Sequence, residues 1–134
     1  MKKNIIKIII EAFKRGNKIL IFGCGGSAAE ASHFAGEFIG KGFPAISLID
    51  VTAITALAND FSFDQIFARQ IFALGKTGDV AIALSTSGKS KSVIQGIKQA
   101  KKMGLIVIEW PRNREKKNDL DTARIQEFQL KLIH

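Results

Sequence analysis

The chain has 134 residues, of which 46% are hydrophobic and 24% charged, and its formal net charge is +8. That length fits a single domain, residues 1–134, with a buried core and no compositional reason for disorder. The positive charge favours anionic partners, but the lysines are scattered and no groove-reading motif points to nucleic acid, while no apolar run nears the roughly 20 residues that span a bilayer.

The start, Met1 to Ile10, faintly imitates a signal peptide, but Lys7 and Glu11 interrupt the apolar run and no small-residue cleavage site follows. Residues 4–15 read as an amphipathic helix ended by Gly16-Asn17. Residues 18–22 form an apolar run suited to a buried strand, Gly23 to Ser27 a turn, and residues 27–39 an Ala-rich helix. A second strand is expected over 45–49, a short helix over 52–58, and an amphipathic helix over 63–74 with Phe63, Ile66, Phe67, Ile71 and Leu74 as its apolar stripe. Residues 79–84 give a third strand, 90–103 a helix closed by Gly104, and 105–108 a fourth strand. The stretch 111–118 is charged and reads as an exposed loop, and residues 122–134 read as a final helix.

Alternating strands and helices predict an α/β fold: a parallel sheet covered on both faces and joined by right-handed crossovers. The lone Cys24 rules out an intramolecular disulfide, argues against a cysteine-based zinc site within one chain, and suits a reducing, cytoplasmic setting.

The strongest chemical signal is Ser85-Thr86-Ser87-Gly88-Lys89-Ser90, which falls between a strand and a helix. Open α/β sheets bind ligands at strand carboxyl ends, and a helix N-terminus offers free N–H groups to an anion. Hydroxyls and a glycine suit a phosphate ester; the plainer alternative is a helix-capping turn with surplus hydroxyls. The spacing is not that of a Walker A loop. Gly23-Cys24-Gly25-Gly26-Ser27 also joins a strand to a helix, but it fails the G-x-G-x-x-G spacing, so a close approach of substrate to backbone is expected rather than a dinucleotide. Cys24 itself reads as a packed small side chain. His33 and Glu37 are four apart on one helix and so share a face; they could bind a divalent metal, do acid/base work, or simply hydrogen-bond. Gln126 and His134 are about 12 Å apart along a straight helix at ~1.5 Å per residue, too far for one small ligand to reach easily. For these two, a solvated side chain and a frayed terminus are the plain alternatives.

Taken together, these motifs resemble the SIS sugar isomerase family, and within it the phosphoheptose isomerases. The matching text is Gly23-x-Gly25-Gly26-Ser27, His33 to Glu37, Pro44-Ala45-Ile46, Ala58-Asn59-Asp60, Phe67 to Gln70, Gly78-Asp79-Val80, Ser85-Thr86-Ser87-Gly88-x-Ser90 and Thr122 to Glu127. The resemblance implies a three-layer, flavodoxin-like domain, shortened at its C-terminal side between residues 110 and 119, and conversion of sedoheptulose 7-phosphate to a manno-heptose 7-phosphate. It implies phosphate contacts from Ser85, Thr86, Ser87 and Ser90 with help from Ser27, sugar contacts from Asn59 and Asp60, and further substrate contacts from Cys24, Gly25, Gly26, Glu37 and Gln126. Glu37 and His134 would be the acid/base pair; His33, Glu37, Gln126 and His134 would hold one Zn2+ per subunit of a homotetramer. The family's usual Asn is replaced by Cys24 in the first turn and by Lys89 in the second. Two alternatives stand beside the enzyme: a non-catalytic sugar-phosphate-binding protein, and a binding module for the replication initiator. Retention of Glu37 and His134 favours the enzyme.

Overall fold

The computed structural model describes residues 2–85 and 87–110. The expected loop over 111–118 and helix over 122–134 therefore lie outside the described residues, as does Thr86.

Four strands form one parallel sheet in the order β2-β1-β3-β4: β1 (Ile19–Gly23), β2 (Ala45–Ser47), β3 (Val80–Leu84) and β4 (Ile106–Trp110). Every residue of β1 and β3 is buried, as expected for central strands of a sheet covered on both sides. Alternation divides their side chains. Ile19, Ile21, Val80 and Ile82 face α1 (Lys2–Lys14) and α2 (Gly26–Gly40), where Ile9, Ala31, Ala35 and Phe38 complete the core. Leu20, Phe22, Ala81 and Ala83 face the opposite layer, built by α3 (Val51–Asp60), α4 (Ile66–Leu74) and α5 (Lys91–Lys102).

The three layers and the parallel sheet expected from the sequence are present. Several boundaries differ, among them α1, which begins at Lys2, and α3, which runs from Val51 to Asp60 rather than over 52–58. Strand β2 ends at Ser47 rather than residue 49, while β4 runs on to Trp110. The helix expected over 63–74 opens as a single 3₁₀ turn, Phe63–Gln65, and becomes α-helical at Ile66. Phe63 and Leu74, assigned to its apolar stripe, are exposed; the buried stripe is Ile66, Phe67 and Ile71, joined by Gln70. Burial of Gln70 is tolerated because its side-chain amide Nε2 donates to the carbonyls of Leu48 and Ile66 at 3.2 and 3.0 Å.

Small residues set how closely α5 sits on the sheet. Ser92, Gly96 and Ala100 follow at intervals of four, and all three are buried. A Cβ added at Gly96 would stand 2.8 Å from Cε2 of Phe22 and 3.1 Å from Cβ of Phe67. The alanines of β3 and the missing side chain at Gly96 thus make room for the Phe22–Phe67 ring pair, whose centroids are 5.2 Å apart.

Candidate active site

The carboxyl ends of β1 and β3, adjacent in the sheet, each lead through a short turn into a helix. Gly23 is forced at the end of β1: a Cβ there would lie 2.6 Å from the Leu84 carbonyl oxygen and 2.7 Å from Cβ of Ser27. This absence of a side chain lets the two turns approach. Gly25 then takes φ +59°, a left-handed conformation open to glycine, and starts α2 as its N-cap.

The second turn holds the hydroxyls. Ser85 Oγ accepts from the Gly88 amide at 2.9 Å, and Ser87 Oγ accepts from the Lys89 amide at 3.1 Å. Gly88 has φ +69°, a backbone conformation open to glycine, two residues before the N-cap of α5. Neither helix start carries a side-chain cap: Gly25 has none to give, and Ser90, the N-cap of α5, makes no capping bond. Among the described residues, nothing accepts a hydrogen bond from the backbone N–H groups of Lys91, Ser92 and Val93. An uncapped helix N-terminus beneath a hydroxyl-rich loop is suited to an anion.

The two turns are tied by three side chains. Cys24 Sγ lies 3.6 Å from Ser90 Oγ and 3.3 Å from Ser92 Oγ, and the two hydroxyls are 3.1 Å apart. Cys24 is half-buried against the α4–α5 core, so the packing expected of it holds, with polar contacts in addition. Ser92 was not among the site residues expected from sequence. The signal for it was a polar residue on the stripe that also holds Gly96 and Ala100.

His33 and Glu37 share a face of α2, with Nε2 and Oε1 3.6 Å apart. They border a shallow depression with Ser32, Gly36, Gly40 and Lys41. Ten residues separate Ser27 from Glu37, about 15 Å along the axis at ~1.5 Å per residue. The structure therefore does not bring this pair to the Ser85–Ser90 loop of the same chain. Asn59 and Asp60 end α3, are exposed, and bond to each other at 3.2 Å. Thr86, Gln126 and His134 lie outside the described residues, so the expected set of four metal ligands contributes two here. Among the described residues no cluster of three or more His, Cys, Asp or Glu could hold a metal ion.

A model of the SIS domain family matches residues 3–109. The phosphoheptose isomerase of Thermodesulfovibrio yellowstonii is 43% identical over 150 residues, covering 98% of this chain and 75% of that protein. The chain belongs to the phosphoheptose isomerases of the SIS domain family. The phosphoheptose isomerase of Helicobacter pylori strain P12 is 41% identical, with 100% of this chain and 79% of that protein covered. Among solved structures, phosphoheptose isomerase GmhA from Neisseria gonorrhoeae superposes with a TM-score of 0.79 at 36% identity, covering 99% of this chain and 80% of that one. A phosphoheptose isomerase from Francisella tularensis gives 0.78 at 30% identity, with 99% and 80% covered. These relatives are longer than this chain.

No helix among the described residues is long and apolar enough to cross a membrane.

Proposed function

We propose that this chain is an aldose–ketose isomerase that converts sedoheptulose 7-phosphate to D-glycero-D-manno-heptose 7-phosphate, on a cytoplasmic route to heptose-containing glycans such as lipopolysaccharide. The observation that carries the reading is the open N-terminus of α5 under the Ser85–Ser90 hydroxyls, on the fold shared with phosphoheptose isomerases.

The phosphate ester sits at the Ser85, Thr86, Ser87 and Ser90 loop, where amides and hydroxyls surround it with donors. Ser27 and the backbone of Cys24, Gly25 and Gly26 approach from the neighbouring turn, and Asn59 and Asp60 contact the sugar. Holding the ester fixes the far end of the chain, so that binding energy orients the carbonyl end. Glu37 removes a proton from C1 of the ketose, giving an enediol, and a proton returns to C2 to give the aldose. His134 moves protons between the oxygens. The separation of Ser27 from Glu37 along α2 supports a site shared between subunits, one giving the loop and another the carboxylate, as a homotetramer would allow.

His33 and Glu37 fit one edge of a zinc site: an imidazole nitrogen and a carboxylate oxygen at 3.6 Å, one helical turn apart. Gln126 and His134 would complete it. Held there, Zn2+ would supply positive charge to stabilise negative charge developing on the substrate oxygens.

Carbon-13 NMR of sedoheptulose 7-phosphate incubated with the purified protein tests the reading. Aldose anomeric signals should grow in with wild-type protein. An unchanged ketose spectrum with folded protein would overturn it.

A further inference from the structure

Ser90 stands at the N-cap of α5 with an extended backbone, φ −64° and ψ 118°, the position where a serine ordinarily accepts a hydrogen bond from its own helix. It does not do so. Its hydroxyl is turned instead to Ser92 Oγ at 3.1 Å, with Cys24 Sγ at 3.6 Å. Ser92 is 1% exposed, and Cys24 Sγ stands 3.3 Å from its hydroxyl as well. The three atoms form a closed triangle between the turn after β1 and the turn after β3. A buried hydroxyl needs a partner, so Ser92 holds both neighbours in place.

We propose that Ser92 is a positioning residue for phosphate binding: by engaging the Ser90 hydroxyl it keeps that serine from capping α5, leaving the first-turn amides open to the ester. This rests on the sugar-phosphate reading given above. Replacing Ser92 by Ala removes the competing partner. Ser90 is then free to turn back and bond the amide of its own helix, in competition with the ligand.

The test is a set of variants measured for inorganic phosphate binding by calorimetry and for isomerase kinetics. Ser92→Ala should raise the phosphate Kd and the sugar-phosphate KM about three- to tenfold, the size of one ordinary hydrogen bond, with a much smaller change in kcat. Its melting temperature should not fall in proportion, because the regained cap offsets the lost contact. Ser92→Cys, which fills similar space with a weaker hydrogen-bonding group, should be intermediate and guards against a misfolded alanine variant. In a Ser90→Ala background the Ser92→Ala effect on Kd should vanish, as no hydroxyl remains to cap. Equal phosphate affinity in wild type and Ser92→Ala, with wild type binding and turning over substrate, overturns the positioning role alone. Failure of wild type to bind phosphate overturns this inference together with the function on which it rests.

Discussion

The carboxylate of Asp79 and the ammonium group of Lys18 lie 2.7 Å apart at the amino ends of β3 and β1, the end of the sheet opposite the Ser85–Ser90 loop. Asp79 is 1% exposed and also accepts from Asn17 Nδ2 at 2.8 Å, the Lys18 amide at 3.1 Å and the Lys76 amide at 2.9 Å. Burial alone would raise its pKa, but the lysine and the other donors together outweigh it and hold the carboxyl below its ordinary value. A lowered folded pKa means stability that is complete above the unfolded value and is lost as pH falls through the folded one. Asp79→Asn should therefore cost about 2–4 kcal/mol at pH 7, since it leaves several donors poorly matched. The gap between wild type and variant in urea melts should narrow as pH falls below the ordinary aspartate range. A gap independent of pH would contradict the assignment.

Gly96→Ala should destabilise the fold by about 1–3 kcal/mol, because its methyl would have to displace the packed Phe22 ring or the Phe67 Cβ. Gly36→Ala is the matching control, since a Cβ there meets nothing within 4 Å. Thermal melts of the two variants should separate clearly, with only Gly96→Ala losing stability.

Ser87 is exposed and its hydroxyl bonds a loop amide, so Ser87→Ala should leave the core intact. It should raise KM for the sugar phosphate about ten- to hundredfold, the value of one hydrogen bond to a charged group. Steady-state kinetics with unchanged melting would bear this out.

Glu37→Gln keeps the shape of a half-exposed side chain on the α2 surface and should melt like wild type. As the proposed base it should lose about 10²–10⁴-fold in kcat. Wild-type turnover in this variant would remove Glu37 from the mechanism.

Much of this fold is written in local pattern. Full burial of β1 and β3 follows from continuous apolar runs, and Gly16, Gly42 and Gly104 mark the chain's turns at positive φ. The misassigned Phe63 and Leu74 show where pattern fails: spacing fits a helical stripe, but the first turn is 3₁₀, which moves Phe63 off the buried face. The place of the Ser85–Ser90 loop between β3 and α5 was legible, because an apolar run precedes it and helical spacing follows it. The Cys24–Ser92 contact was not, since it joins residues 68 apart through the pairing of β1 with β3. The distance between Ser27 and Glu37 was legible from helix rise alone, once both were placed on α2.

The most direct test of the enediol account is turnover of sedoheptulose 7-phosphate in deuterated water, followed by mass spectrometry of the products. The account predicts an aldose phosphate carrying solvent deuterium at C2, formed by wild type and not by Glu37→Gln. Recovery of the ketose alone, unlabelled, from folded wild-type protein would contradict it.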